Sequence, residues 1–281
     1  MPRSPPTVLR CADRTLDLSQ PLVMGVLNVT PDSFSDGGRF FPVDAAVAQG
    51  LKMVAEGAAL IDVGGESSRP GAHEVSVAEE LRRVIPVIER LRGACNAVIS
   101  VDTSKAEVMR AASSAGAGLI NDVRALRAPH ALEAAADSGC AVCLMHMQGE
   151  PRTMQDAPHY VEVVSEVRAF LAQRVAACRE AGFEADRLAI DPGFGFGKTL
   201  EHNLTLLRRL RELAADGLPL LVGLSRKSMA GTLTHRPREE RTAGSVALAV
   251  IAVLNGARII RAHDVAPTVD ALRVAAAVQG G

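Results

Sequence analysis

Residues 97–122 read AVISVDTSKAEVMRAASSAGAGLIND. The opening run, 97–101, is short and apolar. The segment 105–115 carries apolar residues at three-to-four spacing, and a second apolar run at 119–120 ends in Asn121 and Asp122. Apolar run, helix-length segment, apolar run is one strand–helix–strand unit. Working outward, the same unit recurs along the chain, with runs at 22–27, 60–63, 141–145, 188–190, 220–224 and 259–260. Each is brief, rich in Val, Ile and Leu, and reads without in-and-out alternation, as parallel strands buried on both faces do. Helical spacing falls at 44–56, 77–91, 161–181, 200–215, 242–254 and 268–278, with a shorter helix at 129–138 opened by Pro129. Eight units in one line predict an α/β fold, the eightfold (β/α) TIM barrel with parallel strands. An open doubly wound sheet is the alternative, and the count of eight with even spacing favours the barrel. No Pro/Gly/Ser-rich linker divides the chain, so 1–281 reads as a single domain, with 1–20 as an N-terminal flap or short hairpin closing the barrel base.

Composition narrows the function. The chain is 48% hydrophobic and 22% charged, an ordinary globular balance that excludes disordered, collagen-like and coiled-coil proteins. Lys and Arg number 31 against 32 Asp and Glu, a net charge of −1, which argues against nucleic acid or a membrane surface as partner. Five cysteines, one C-x-x-C at Cys140 and Cys143 among them, form no disulfide framework and no zinc cluster. The N-terminal residues are interrupted by charges and lack a signal-peptide core. The expectation is a soluble, cytoplasmic protein.

Barrel enzymes carry their chemistry on the loops after the strand C-termini. Each run here ends in polar residues: Asn28; Asp62 through Glu66 to Arg69; Asp102; Asn121 and Asp122; His146; Asp191; Ser225, Arg226 and Lys227; Arg261, His263 and Asp264. In a barrel these ends converge on one mouth. Carboxylates there suit a heterocycle edge with N–H donors, and arginines with glycine amides suit phosphate. The ligand predicted is heterocyclic at one end and phosphorylated at the other. Only four lysines occur, Lys52, Lys105, Lys198 and Lys227, and Lys227 at a strand end reads as a compact donor. Residues 193–199, GFGFGKT, approach a phosphate-loop pattern but have Pro192 where the first glycine belongs and come after the sixth run. The glycines read instead as a mobile or tightly turned loop exposing Phe194 and Phe196.

These loops resemble those of the dihydropteroate synthase family. The carriers are the stretch Asn28 to Gly38 (NVTPDSFSDGG), the stretch Gly64 to Gly71 (GGESSRPG), and the strand ends at Asp102, Asn121, His146, Asp191, Lys227 and Arg261 to Asp264. The resemblance implies that 7,8-dihydropterin-6-ylmethyl diphosphate is joined to 4-aminobenzoate, giving 7,8-dihydropteroate and pyrophosphate for folate synthesis. It further implies magnesium (Mg2+), a homodimer and inhibition by sulfonamides. Position by position, it places the pterin on Asp102, Asn121, Asp191, Lys227 and Arg261. It places the diphosphate on Asn28, Ser68, Arg69, Arg261 and His263, with Asn28 as metal ligand. The aminobenzoate falls to Phe34, Ser68, Arg69, Pro70, Phe196, Lys227 and Ser228. Arg69, Lys227, Arg261 and His263 are the implied catalytic set. Where the family commonly has Thr before the second-loop arginine, this chain has Ser68.

The implied chemistry is loss of diphosphate followed by attack of the aniline nitrogen on a pterin-stabilised cation. Three other readings use the same barrel: a pterin-dependent methyltransferase, a Schiff-base aldolase using Lys227, and a non-catalytic pterin-binding paralogue. The two intact signature loops favour the synthase.

Overall fold

A computed structural model describes residues 7–29, 42–66, 75–150, 153–214 and 217–279. The chain opens with an antiparallel hairpin, β1 (Val8–Cys11) and β2 (Arg14–Asp17). Eight parallel strands then close into a barrel: β3 (Leu22–Asn28), β4 (Leu60–Gly64), β5 (Val98–Asp102), β6 (Leu119–Asp122), β7 (Ala141–Met145), β8 (Leu188–Asp191), β9 (Leu220–Gly223) and β10 (Ala257–Ala262), which pairs back onto β3. Around them run α1 (Pro42–Ala55), α2 (Val77–Ala94), α3 (Ala106–Ser114), α4 (Ala131–Asp137), α5 (Val163–Glu180), α6 (Leu200–Arg208), α7 (Leu210–Ala214), α8 (Ser228–Thr234), α9 (Thr242–Leu254) and α10 (Val265–Gln279). The closed parallel barrel is the predicted fold class. Among the described residues no helix is long and apolar enough to cross a membrane.

The strands do alternate, contrary to the reading of uniform apolar runs. Ile61, Val63, Ile99, Val101, Ile120, Val142, Leu144, Ile190, Val222 and Ile260 face outward and pack under the helices. Their neighbours of opposite parity face the barrel axis. At the base these are Met24, Leu60, Val98, Leu119, Cys143, Ala189, Leu221 and Ile259, plugged by Leu9, Cys11, Leu16 and Leu18 from the hairpin. Gly118 lets the hairpin approach, since a Cβ there would lie 2.8 Å from the Cys11 carbonyl oxygen. Burying each large aliphatic side chain is worth about 1.5–3 kcal/mol. The outer layer and the base plug therefore supply the cohesion, and the upper interior is left to polar residues.

Most helix ends differ from the expected ones by one to three residues: α2 runs on to Ala94 and the short α4 starts at Ala131 rather than Pro129, and two further departures have a local cause. The 200–215 segment breaks at Arg209, which keeps Leu206, Leu207, Leu210 and Leu213 all buried. The last helix starts at Val265 rather than 268, because Pro267 falls in its first turn, where the missing N–H has no intrahelical partner to lose. An additional helix, α8, begins directly after Lys227.

Candidate active site

One turn above the base plug, the inward positions become polar. Strand register puts Asp62 opposite Ser100, and Asp102 opposite both Gly64 and Asn121. Asp62 is fully buried and accepts from Ser100 Oγ (2.6 Å), Asn121 Nδ2 (3.0 Å) and Arg261 Nε (2.6 Å). The other end of the same guanidinium, Nη2, donates to Asp102 Oδ2 at 2.8 Å. Arg261 thus spans two carboxylates on neighbouring strands, a fork only a planar guanidinium makes. Burial works against its charge, but Asp62 and Asp102 more than offset this and raise its pKa.

Asp191 ends β8 and is buried, its Oδ1 accepting the Gly193 N–H at 2.7 Å. Burial raises its pKa, and Lys227 pulls it back. Burial pushes Asp102 up to about 7, with Arg261 opposing and Asp62 adding like charge. Lys227 caps the start of α8 and donates to the Phe194 carbonyl, with Nζ 4.7 Å from the Phe196 ring centroid. Burial lowers its pKa to about 8, with Asp191 as the main opposing charge. Phe196 packs with Val123, Met145, Met147 and Met154, an apolar wall beside that amine. Phe194, expected on the surface with Phe196, is instead 1% exposed and part of the outer core. The positive φ of Gly193 and Gly195 turns the chain so that it points inward.

At the rim, the Ser225 hydroxyl accepts the His263 N–H (3.1 Å) and lies 3.1 Å from its Nδ1. In the tautomer in which Ser225 donates to Nδ1, the Nε2–H is left as the outward donor. Burial and the adjacent Arg261 lower the His263 pKa to about 3, so the ring is a neutral donor, not a cation. Arg226 grips Asp264 through Nε (3.0 Å) and Nη2 (2.5 Å), tying the β9 and β10 loops together. Ser228 is exposed in the first turn of α8. The loop after β4 is anchored at its base, where Arg83 Nη1 donates to the Gly65 carbonyl (2.8 Å) and Lys105 Nζ pairs with Glu66 and Glu80.

Asn28 ends β3, beside Gly64. A Cβ built on Gly64 would lie 3.9 Å from Asn28 Oδ1 and 3.8 Å from Asp102 Oδ2; the latter oxygen already accepts from Arg261, which leaves the Asn28 oxygen as the hard donor here. Among the described residues no three His, Cys, Asp or Glu side chains gather as a metal cage. This donor set fits magnesium, which keeps most of its waters and borrows few protein oxygens.

Of the residues expected at the site, the structure brings Asn28, Asp102, Asn121, Asp191, Lys227, Arg261 and His263 to the same end of the barrel, with Phe196 beside Lys227. Phe34, Ser68, Arg69 and Pro70 lie outside the described residues. Asp62 was assigned no ligand-binding role by sequence, although it holds Arg261 and Asn121 in place. The signal was its parity: two residues after inward Leu60, it shares that residue's face.

Comparison with known proteins places the chain in a family. The profile of the pterin binding enzymes matches residues 24–263. The dihydropteroate synthase of Escherichia coli K12 is 57% identical over 260 residues, 92% of each chain. The Xanthomonas albilineans dihydropteroate synthase solved with 4-aminobenzoic acid superposes with a TM-score of 0.93 at 57% identity, covering 98% of this chain and 99% of that one. The Yersinia pestis dihydropteroate synthase with a sulfonamide drug complex gives 0.93 at 52% identity, covering 98% and 100%. The chain belongs to the family of pterin binding enzymes. Within that family its reaction is the synthesis of dihydropteroate, which makes it a transferase acting on small molecules.

Proposed function

We propose that the buried polar ring binds the dihydropterin diphosphate and that the Phe196 wall, with the two signature loops, forms the 4-aminobenzoate pocket. The observation that carries this reading is the Arg261 fork across Asp62 and Asp102, a preorganised cation at the centre of a carboxylate-lined well. Asp191 accepts from the ring N–H and the exocyclic amine. Asp102 and Asn121 take the remaining ring edge, and Lys227 donates to the ring carbonyl or nitrogen. Arg261 covers the ring face and, with Ser68, Arg69 and the Nε2–H of His263, receives the diphosphate. Phe34, Ser68, Arg69, Pro70, Phe196, Lys227 and Ser228 enclose the aminobenzoate.

The bond from the pterin methylene carbon to the diphosphate oxygen breaks first, and its electron pair leaves with the diphosphate. The surrounding carboxylates favour the cation left on the pterin. The aniline nitrogen then forms the new C–N bond and loses a proton. Asn28 is the residue that would hold magnesium, which when bound neutralises charge on the diphosphate. Five unpaired cysteines, four of them buried, suit the reducing cytoplasm. Neighbouring helices α8, α9 and α10 expose Leu233, Ile251, Leu254 and Val274, a surface that a second copy of the chain would cover as a homodimer. Sedimentation at the 29.5 kDa monomer mass would remove the dimer.

Purified protein with the dihydropterin diphosphate and magnesium should release pyrophosphate only when 4-aminobenzoate is added, and a sulfonamide should suppress that release. Tight pterin binding without turnover would move the chain to the non-catalytic paralogue class. The pH response has a defined sign. Lys227 loses its proton as pH rises past about 8, so affinity for the pterin diphosphate should fall on the alkaline side. Lys227→Arg keeps its charge and should move that limb to higher pH. An alkaline limb unchanged in Lys227→Arg, read by titration, would separate Lys227 from the pterin.

A further inference from the structure

The near phosphate-loop at 193–199 leaves its lysine without a role in the reaction. In the folded chain Lys198 does not face the mouth. It is 3% exposed, and Nζ lies 3.0 Å from the Gly193 carbonyl, 3.0 Å from the Phe196 carbonyl and 2.9 Å from His146 Nδ1. An ammonium has three donors. In the protonated side chain all three are used here, so none remains for a phosphate; burial lowers its pKa to about 7, with Asp191 opposing.

The partners of the loop form a pattern. Each of five consecutive carbonyls, from Gly193 to Gly197, accepts from a side chain. Lys198 serves residues 193 and 196, and Lys227 serves Phe194. Gln155 Nε2 serves Gly195 at 2.6 Å, and the Tyr160 hydroxyl serves Gly197 at 2.8 Å. Glycine is required at both ends: a Cβ at Gly193 would lie 1.9 Å from the His146 carbonyl oxygen, and one at Gly197 would lie 2.4 Å from that of Gln148. His146 is held in turn. Its N–H donates to the Asp191 carbonyl at 2.9 Å, and its ring packs edge-on against Phe170 at 4.9 Å. Burial and the adjacent lysine push the imidazole pKa down to about 2, so the ring stays neutral and accepts at Nδ1.

We propose that Lys198, seated on His146, is a positioning residue that folds 193–197 so that Phe196 forms the aminobenzoate wall. This deepens the pocket assignment above and rests on it. Lys198 touches neither substrate; it acts through the backbone that carries Phe196.

The test uses the full chain with Lys198→Met, which keeps the stem and removes the donors. His146→Leu removes one acceptor, and His146→Asn can return one through its amide oxygen. Three quantities are read: KM for 4-aminobenzoate, the titrated Kd for the dihydropterin diphosphate, and amide exchange across 193–197. In Lys198→Met, KM should rise about tenfold or more while pterin Kd stays within about twofold, the split expected when one subsite is disordered. Exchange across 193–197 should accelerate. His146→Leu should shift KM in the same direction and His146→Asn should recover part of it; this pair carries the test if Lys198→Met does not fold. In a Phe196→Ala background, Lys198→Met should add less than about twofold. Equal losses for both substrates, unchanged exchange, or a full effect without Phe196 would overturn the proposal. An unchanged KM in Phe196→Ala alone would instead sink the placement of Phe196 against aminobenzoate. A raised KM in Phe196→Ala with none in Lys198→Met would sink the lysine's part.

Discussion

Replacing Asp62 with Ala should cost both fold and turnover. The carboxylate is fully buried and takes three donors, from Ser100, Asn121 and Arg261. Truncation leaves two neutral donors unsatisfied and Arg261 balanced by Asp102 alone. Breaking a buried ion pair from one side costs about 3–5 kcal/mol, because the remaining charge is still desolvated. For a chain of this length that corresponds to a melting temperature lower by on the order of 10 °C. Turnover should fall about 1,000-fold, the scale of losing one preorganised group, since Arg261 and Asn121 both lose the anchor that aims them. The discriminating control is Asp62→Ala combined with Arg261→Met. If the cost comes from the stranded cation, the double variant melts above the single one. Additive losses would show that Asp62 serves packing alone, and a melting curve for Asp62→Ala within about 1 °C of the parent would remove the network from the account.

Asp62 also shows what the sequence concealed. Read along the chain, Leu60-Ile61-Asp62-Val63 is an apolar run with one acid in it. Only the closed barrel assigns its odd and even members to different environments, Ile61 and Val63 to the helices and Leu60 and Asp62 to the axis. The strand-end rule located Asn28, Asp102, Asn121, Asp191, Lys227 and Arg261, because being last on a parallel strand already places a residue at the mouth. It also reached Asp62, at the head of the polar stretch 62–69, but not its task of holding Arg261 and Asn121, which parity decides. Lys198 was hidden for another reason. In the near phosphate-loop it resembles an anion ligand, and its inward turn depends on the His146 acceptor 52 residues earlier. Phe194 and Phe196 are two residues apart in one glycine-rich loop, yet one joins the core and the other the mouth, a difference made by positive φ at Gly193, Gly195 and Gly197. Glycine content announced a turned loop without saying which way it turns.

The other large effect is expected at Arg261, and it differs in kind from that at Asp62. Arg261→Ala removes the cation that spans both carboxylates and, on the pocket assignment above, the group that meets the leaving diphosphate. Turnover should become undetectable over a loss of about 1,000-fold or more, the scale of removing a charge aimed at the departing group. Arg261→Lys keeps a charge but cannot reach Asp62 and Asp102 with a planar fork, so it should recover only part of the activity. Stability gives an independent signature whose sign is set by linkage. Asp102 already has a folded pKa near 7, far above that of an unfolded aspartate, with Arg261 opposing the rise. Removing Arg261 raises it further. A group whose folded pKa is raised contributes its stability below the unfolded pKa and loses it as pH climbs through the folded value. Between those limits the parent stops losing stability near pH 7, whereas Arg261→Ala continues to lose it above that point. The gap in melting temperature should therefore widen from about pH 6 to about pH 8. A gap independent of pH would mean that the Asp102 carboxylate does not depend on this arginine, and near-parent turnover in Arg261→Ala would take the arginine out of the chemistry.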